Sequence, residues 1–348
     1  MRQLLVCVCV VAACAGKQPA PATPAAPAAL GSANPASAGL DRHDALYCGE
    51  WQLTNPGETI YLVRGGKVVW SHAIPDKDEL GDCTMTSNGH VVFARKSFGA
   101  QEIEPDLKAG SGGKIVWEYL EDPETEVHTA QPVGTDKVLV MQNGTPAKLM
   151  LIDKGKGSSC KSDQPCVEKL WTPESHGKTH GMFRHVRMLA NGNLLIPYTG
   201  GGAHKVVEYD QQMKPVWEVE SKSPWAAVRL RNGNTLISGN QAKYVREVTP
   251  DKRVVWELTQ ADLPEIPFFT LQEAMRLQNG NTIVNNWCGG GLKKEQWAQD
   301  CVQVFEVTPD KKVVWKVKQW ENPNLGPGSS THILDEPGVP ERPGDQQR

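Results

Sequence analysis

The chain has 348 residues and a formal net charge of −3 at pH 7. That length suits one large β domain or two ordinary domains. The near-neutral charge argues against a general nucleic-acid-binding surface, so we expect no nucleic-acid partner.

The first residues predict an export signal. Residues 1–13 read MRQLLVCVCVVAA, in which Arg2 is the only charged residue before an apolar run. The run is too short to span a bilayer and is typical of a secretory signal peptide. Val11-Ala12-Ala13-Cys14 resembles the bacterial lipobox, so we predict lipidation of Cys14. Ordinary cleavage within the alanine-rich stretch is the alternative.

Residues 14–42 predict a linker. They are rich in Ala, Pro, Gly and Ser and contain no aromatic residue. Such a segment cannot bury a core and behaves as a semi-extended tether. Because a lipid anchor followed by a tether holds a domain near a membrane without embedding it, we expect a periplasmic or cell-surface lipoprotein. We expect membrane contact only through the anchor.

The cysteines predict three disulfides. Six of the 9 Cys follow the signal and the anchor: Cys48, Cys83, Cys160, Cys166, Cys288 and Cys301. An even number in an exported chain indicates disulfides. Many connectivities are possible, but proximity favours Cys160–Cys166 and Cys288–Cys301, which leaves Cys48–Cys83. A cysteine metal site is the alternative, but no CxxC pair is present.

Residues 229–257 contain one complete repeat. Four short alternating runs are separated by turns, of which Asn232-Gly233 favours a tight hairpin and Thr249-Pro250-Asp251 a second turn. This pattern predicts a four-stranded antiparallel blade of a propeller. The ending on Trp256 recurs at five other anchors, which are Trp70, Trp117, Trp171, Trp217 and Trp315. By subtraction of residue numbers, neighbouring anchors lie 39 to 59 residues apart, a spacing typical of blades.

The two ends of the repeat region predict how the ring closes. The first blade has only three strands before Trp70, and residues 329–334 (SSTHIL) read as an orphan first strand. Docking this strand into the first blade would remove exposed sheet edges. We predict an all-β, six-bladed β-propeller over residues 43–336, made of four-stranded antiparallel blades and closed by a C-terminal clasp strand. A disordered tail is predicted for residues 337–348.

The runs NGNTLI, EVTPD and VVWE resemble the repeats of bacterial arylsulfotransferase-type propellers and of quinoprotein-like, or PQQ-like, repeat proteins. The resemblance covers residues 47–334 and implies the propeller fold. In arylsulfotransferases it also implies channel histidines, one of which carries the sulfuryl group, and a channel arginine. This chain departs from that pattern, because Thr129-Ala130-Gln131 follows His128 and no large N-terminal β domain is present. Quinone-cofactor dehydrogenases usually have eight blades, so we predict no cofactor.

Counting back from each hairpin turn locates the residues expected at the channel mouth. They are mostly polar: Asp82, His128, Arg184, His185, Trp225, Gln272, Glu273, Thr331 and His332. Such a set can bind an anion through Arg184 and the histidines, or perform acid–base chemistry. Because propeller channels are wet, a polar lining without any activity is the alternative.

Two further groups of residues are candidate sites. His176, His180 and His185 lie within one glycine-rich loop, and Asp82 or Glu273 could complete a metal site across the channel. Their spacing instead favours a rim loop with only His185 facing inward, so we predict no metal. Trp287 and Trp297 lie off the anchor positions and are candidates for an exposed platform that stacks sugars or peptides.

These patterns favour a binding protein over an enzyme. We expect the channel mouth or the loops around it to bind a small anionic ligand, a glycan or an envelope protein, with Asp82, Trp225, Gln272 and Glu273 as binding residues. The first alternative is an arylsulfotransferase-like enzyme. There His128, His185 and His332 would act in transfer or acid–base steps, and Arg184 would stabilise negative charge. The second alternative is a scaffold for envelope assembly. We expect a monomer.

Overall fold

The computed structural model describes residues 37–50, 57–74 and 78–348. Within these ranges the chain forms 26 strands, numbered β1 to β26 in chain order, and one seven-residue helix, α1 (Lys294–Asp300). Short 3₁₀ turns follow β11 and β23, at Lys154–Lys156 and Cys288–Gly290. The predicted signal peptide, Cys14 and residues 14–36 of the linker lie outside the described residues.

The strands form six antiparallel blades in a ring, so the predicted six-bladed β-propeller is confirmed. From the channel outwards, blade 1 consists of β26 (Gly328–Ile333), β2 (Ala45–Gly49), β3 (Thr59–Arg64) and β4 (Lys67–Ala73). Blade 2 consists of β5 (Leu80–Met85), β6 (Val91–Arg95), β7 (Gly99–Pro105) and β8 (Gly113–Leu120), with β12 (Ser159–Cys160) added in parallel outside β8. Blade 3 consists of β9 (Glu126–Val133), β10 (Lys137–Asn143), β11 (Lys148–Asp153) and β13 (Val167–Trp171).

The second half of the ring repeats this order. Blade 4 consists of β14 (Arg187–Met188), β15 (Leu194–Tyr198), β16 (Lys205–Tyr209) and β17 (Pro215–Glu220). Blade 5 consists of β18 (Pro224–Arg229), β19 (Thr235–Gly239), β20 (Tyr244–Val248) and β21 (Val254–Thr259). Blade 6 consists of β22 (Thr270–Arg276), β23 (Thr282–Trp287), β24 (Val304–Val307) and β25 (Val313–Val317), with β1 (Ser37–Ala38) added in parallel outside β25.

The clasp predicted from the sequence is confirmed. Strand β26 pairs antiparallel with β2, and Ala45 lies opposite Ile333. All six residues of β26 are buried. The Tyr47 hydroxyl also donates a hydrogen bond to the carbonyl oxygen of Gly326 at 2.6 Å. The first blade is therefore completed by the far end of the chain, which removes the two open edges that an unclosed ring would have.

The three predicted disulfides are also confirmed. Cys48–Cys83 joins the inner part of blade 1 to that of blade 2. Cys160–Cys166 closes the loop between β12 and β13, and Cys288–Cys301 closes the segment that contains α1. Disulfides are consistent with export to an oxidising compartment. In the described part of the chain, no helix has the length and apolar character needed to cross a membrane.

The anchor tryptophans join neighbouring blades. The indole Nε1 of Trp217 donates to the carbonyl oxygen of Pro250 at 2.9 Å, and that of Trp256 donates to Pro309 at 2.8 Å. Trp70, Trp171 and Trp315 make the equivalent bond to a carbonyl beyond their own blade or at its outer strand. Trp117 differs, because its Nε1 has no hydrogen-bond partner among the described residues. The repeated Trp thus has a structural role.

The Asn-Gly-Asn turns are held by a repeated glutamate. In blade 5 the Glu247 carboxylate, beside a β-bulge, accepts a hydrogen bond from the Asn234 side chain at 2.6 Å. Arg276 of blade 6 lies 2.8 Å from the same carboxylate. The same bonds recur at Glu208 with Asn193 and Arg229, and at Glu306 with Asn281 and Arg42. These partly buried charges link blade 4 to blade 5, blade 5 to blade 6, and blade 6 to the segment before β2.

Both ends of the predicted propeller extend further than the sequence indicates. The Gly39 backbone N–H donates to the carbonyl of Lys316 at 3.1 Å, so the last residues assigned to the linker contact blade 6. Residues 337–348, for which the sequence predicts disorder, pack across one end of the channel. Their few apolar residues gave no packing signal, but polar side chains hold them: the Glu341 carboxylate accepts from the Ser87 N–H, and the Arg348 side chain is 8% exposed.

Candidate functional site

Register breaks in the innermost strands turn polar side chains into the channel. The pairing of β22 with β23 shifts between Leu271 and Ala274, and that of β5 with β6 shifts between Leu80 and Cys83. A bulge leaves residues out of the ladder and redirects their side chains. This geometry places Asp82 from blade 2 close to the residues of blade 6 across the channel.

One end of the channel contains two buried arginines and two buried carboxylates. Arg187 donates to both oxygens of Asp82, at 2.6 and 3.2 Å, and lies 3.4 Å from Glu273. Arg348 lies 3.8 Å from Asp82 and 3.6 Å from Glu273. Burial raises the pKa of Asp82, but Arg187 and His185 outweigh burial and the net pKa is lowered. The cluster is electrically balanced within itself.

Residues of the tail close this end. The Nδ1 of His332 accepts a hydrogen bond from the Met85 N–H at 3.2 Å, and its Nε2 lies 2.9 Å from the Gln346 side-chain oxygen. Burial, and then the charge of Arg348, hold the pKa of His332 well below its usual value. The space between the tail and the channel wall amounts to about 20 Å³, which admits a single water molecule and no larger ligand.

The opposite end of the channel is open and contains a cavity of about 510 Å³. Side chains from blades 2, 4, 5 and 6 and from the loops beside them line this mouth cavity. They are Glu79, Lys96, His180, Arg184, Thr199, His204, Ser223, Trp225, Asn240, Gln241, Thr270, Gln272 and Trp287, together with Gly181 and Gly200. The volume is in the range of small-molecule sites.

Arg184 is the central charged group of the mouth cavity. Its side chain is 3% exposed and lies over the Trp225 ring, with 4.6 Å from the guanidinium carbon to the ring centre. It donates to the Phe183 carbonyl at 3.2 Å and lies 3.4 Å from Nε2 of His180. Among the described residues no carboxylate forms an ion pair with it within 4.0 Å, and its Nε has no hydrogen-bond partner. The charges of Glu79, Glu126 and Glu50 act on it from longer range.

A histidine and carboxylate cluster lies beside Arg184. One Glu126 oxygen is 3.1 Å from His128 Nε2 and 2.9 Å from His180 Nδ1. Glu79 lies 3.8 Å from His128 Nδ1. Burial, and then the charge of Arg184, lower the pKa of His128 to about 4, so it is neutral at pH 7. Burial raises the pKa of Glu79, but His128 and Arg184 outweigh burial and the net pKa is lowered.

A second carboxyl group near the mouth has the opposite shift. Trp287 Nε1 donates to a Glu50 oxygen at 2.7 Å. Burial, and then the charges of Glu79 and Glu58, raise the pKa of Glu50 well above its usual value. Glu50 is therefore biased toward its protonated form, while Glu79 is biased toward its charged form.

The structure divides the sequence-predicted residues between the two ends. Arg184, Trp225 and Gln272 line the mouth cavity, and His128 lies just behind Arg184. Asp82, Glu273 and His332 belong to the closed end, and His185 lies 3.8 Å from Glu273. The four predicted catalytic residues, His128, Arg184, His185 and His332, therefore do not face one common cavity.

The prediction at Thr331 was one residue out of register. The Thr331 hydroxyl accepts a hydrogen bond from Asn285 of blade 6 at 3.0 Å, whereas the Ser330 hydroxyl donates to Glu273 in the channel at 2.8 Å. Successive side chains of a strand point to opposite faces, so an error of one residue assigns an interior side chain to the channel.

The structure also does not bring together the loop histidines or the two tryptophans that the sequence grouped as candidate sites. His176 lies 3.4 Å from Glu174 and packs edge-on against the Tyr198 ring. The platform expected from Trp287 and Trp297 was wrong, because Trp297 is 1% exposed and packs against Trp320. Of these two tryptophans, only Trp287 lines the mouth cavity.

Several residues at both ends of the channel were not predicted from the sequence. Arg187 follows His185 by two positions, so strand alternation would have placed it in the channel. Lys96 and Glu79 lie at the ends of a hairpin in blade 2, outside the positions counted from the turns. Arg348 lies in a segment without strand periodicity, and no local pattern indicated it.

Comparisons with known proteins identify the fold only. No protein-family model and no curated protein matches the chain. A crystal structure of a Bacteroides caccae protein of unknown function is similar, with a TM-score of 0.70 and 22% identity over 84% of this chain and 99% of that chain. The Cps50 (Swd1) propeller domain of Myceliophteria thermophila has a TM-score of 0.51 and 12% identity, over 81% of this chain and 88% of that chain. Virginiamycin B lyase of Staphylococcus aureus has a TM-score of 0.49 and 11% identity, over 77% and 87%.

Proposed function

We propose that this chain is an exported binding protein whose mouth cavity holds an acidic saccharide of one or two rings. The cavity of about 510 Å³ is large enough for such a ligand. Export is supported by the three disulfides and by the signal-like residues 1–13.

The unpaired Arg184 is the observation that carries the proposal. A buried charge is normally paired, because removing it from water without a partner is costly. Arg187 and Arg348 at the closed end follow this rule, since each lies near both Asp82 and Glu273. Arg184 makes no such direct pair, because Glu79, Glu126 and Glu50 act on its charge only from longer range, and it lines an open cavity. A carboxylate or sulfate group of a ligand would supply the missing partner through charge-assisted hydrogen bonds.

The rest of the cavity wall favours a hydroxylated ligand. Thr199 Oγ1, Trp225 Nε1, Asn240 Oδ1 and Gln272 Oε1 have no hydrogen-bond partner among the described residues. These atoms are shielded from bulk water, so leaving them unsatisfied costs free energy that small side-chain rotations toward ligand hydroxyls would recover. The rings of Trp225 and Trp287 add apolar surface with a polar edge. Hydroxyl groups and a ring that stacks are both features of sugars.

This ligand is favoured over a protein partner or an envelope scaffold. The unsatisfied polar atoms lie inside a cavity, whereas a protein partner would have to use the outer surface of the ring. Exposed apolar residues do occur there, but their side chains are only about half exposed: Val69, Leu107, Ile115, Leu170, Val216, Val254 and Val255.

The arylsulfotransferase-like alternative is weakened by the same geometry. Of its four candidate residues, only His128 and Arg184 lie at the open end. His185 and His332 face the closed end, with Glu273 and Gln346 as their neighbours. An assay of sulfuryl transfer from 4-nitrophenyl sulfate to a phenol tests this alternative directly, and turnover that depends on His128 would support it.

The proposal is tested by screening the full chain against immobilised disaccharides in pairs that differ only in an acidic group. We expect binding to uronate or sulfated members and at least about tenfold weaker binding to their uncharged counterparts. Equal binding to both members of each pair, or no binding to any acidic member, would contradict it.

A further inference from the structure

We propose that Glu126, His128 and His180 form a binding site for a divalent transition-metal ion such as Zn²⁺, at the rim of the mouth cavity. The sequence pattern pointed to His176, His180 and His185 and predicted no metal. The structure groups different residues, because Glu126 and His128 come from β9 and His180 from the loop before β14. The inference does not depend on the saccharide.

The three side chains have the geometry of metal ligands. One ligand atom from each lies within 4.8 Å of the other two. The shared Glu126 oxygen lies 3.1 Å from His128 Nε2 and 2.9 Å from His180 Nδ1. Tetrahedral bonds of about 2 Å hold ligand atoms roughly 3.3 Å apart, so small adjustments suffice. Two histidines and one glutamate also leave a fourth position open to water or ligand.

The surroundings supply a second carboxylate. Glu79 lies 3.8 Å from Nδ1 of His128, the nitrogen opposite the metal-facing Nε2. A carboxylate behind a ligating histidine holds its proton on the outer nitrogen and orients the ring. An ion on Nε2 requires the neutral His128 ring to carry its proton on Nδ1, and that N–H would donate a hydrogen bond to Glu79 once the separation of 3.8 Å shortens.

Charge distinguishes this cluster from the other one in the channel. Asp82, His185 and Glu273 also have ligand atoms within 4.8 Å, but Arg187 and Arg348 already neutralise both carboxylates. At the rim, Arg184 lies 3.4 Å from His180 Nε2 and opposes a cation. The two carboxylates Glu126 and Glu79 attract a cation and so oppose the effect of Arg184. The side chain of His180 is half exposed, so it can rotate away from Arg184.

The experiment is equilibrium dialysis of the chelator-treated full chain against Zn²⁺ alone, followed by metal analysis, with the visible spectrum of bound Co²⁺ as a second readout. We expect one tightly held ion per chain. His180→Gln should weaken Zn²⁺ binding by at least about tenfold and remove the Co²⁺ spectrum, and Glu126→Gln should do the same. Since His180 is exposed, its replacement leaves the fold intact, which a melting curve confirms.

Two further variants sharpen the test. His176→Gln, in the same loop but outside the cluster, should bind Zn²⁺ like the unchanged protein. Arg184→Gln should bind Zn²⁺ more tightly, because a positive charge is removed beside the site, although it should weaken saccharide binding. The proposal is overturned if no stoichiometric ion is held, or if His180→Gln and Glu126→Gln keep full affinity. Either result leaves the saccharide proposal standing, because that one is measured in chelator without metal.

Discussion

The guanidinium carbon of Arg184 lies 4.6 Å from the centre of the Trp225 ring, although the two residues belong to neighbouring blades. A cation over an indole face gains electrostatic attraction, more so when both groups are removed from water. This contact fixes the arginine at the cavity wall without neutralising its charge. At the open end, Arg184 is near Glu79 and Glu126 but bonded to neither, whereas at the closed end Arg187 and Arg348 lie directly beside Asp82 and Glu273.

Loss of Arg348 should destabilise the closed end. In Arg348→Gln, Asp82 and Glu273 must share Arg187, and the hydrogen bonds that Arg348 donates to Thr84 and to the Cys83 carbonyl are lost. We expect a fall of about 2 kcal/mol in the free energy of unfolding, measured by urea denaturation. Arg342→Gln is the control, since its side chain is 70% exposed and should contribute little. Equal stability of the two variants would contradict the role of Arg348.

Removal of the clasp should affect the whole ring. A chain ending at Gly326 lacks all of β26, so β2 becomes an unpaired edge and its buried face is exposed. We expect its melting temperature to fall by at least about 10 °C, or the chain not to fold. A chain ending at Glu336 keeps β26 and loses only the tail, so it should be affected less. Melting of the shorter chain at the full-length temperature would refute the clasp.

His332 should make the protein sensitive to acid. Its Nδ1 accepts the Met85 N–H, a bond that only the neutral ring can accept, and burial lowers its pKa well below 6.5. Below about pH 6.5 the unfolded chain therefore binds a proton that the folded chain does not, and stability falls with pH. Above about pH 6.5 the neutral His332 makes its full contribution to the free energy of unfolding.

His332→Gln isolates this contribution, because Gln keeps a donor and an acceptor but does not titrate. Urea denaturation at several pH values between 7 and 4 should show the unchanged protein losing stability relative to the variant as the pH falls. A constant difference between the two proteins across this range would show that His332 does not titrate as described.

The fold could be predicted because its determinants are local and repeated. An Asn-Gly-Asn turn such as residues 232–234 sets a hairpin. The contacts that Glu247 and Trp256 make in this blade recur at the equivalent residues of other blades. Even the long-range pairing of β26 with β2 followed from counting strands. Each of these signals appears several times, so an error in one blade is corrected by the others.

The site could be predicted only in part, because it depends on differences between blades. Arg184 and Trp225 were found by counting from the turns, but counting could not show which end of the channel each side chain faces. The one-residue slip between Thr331 and Ser330 exchanged two faces of a strand. Arg348 acts through a contact with Glu273 that no periodic pattern describes, and Glu126 was overlooked because it precedes the counted position of its blade.

The central claim is most directly tested by calorimetric titration of digalacturonate into the unchanged protein, Arg184→Gln and Arg229→Gln, in chelator. Arg229 is the matched control, because it lies between blades and pairs with Glu208 at 2.7 Å, away from the cavity. We predict that Arg184→Gln weakens binding by roughly 10- to 100-fold, as expected for a lost charge-assisted hydrogen bond. Arg229→Gln should leave the affinity unchanged, and galactobiose, which lacks the carboxylates, should bind the unchanged protein as weakly as digalacturonate binds Arg184→Gln. Equal affinity of the unchanged protein and Arg184→Gln for digalacturonate would contradict the account.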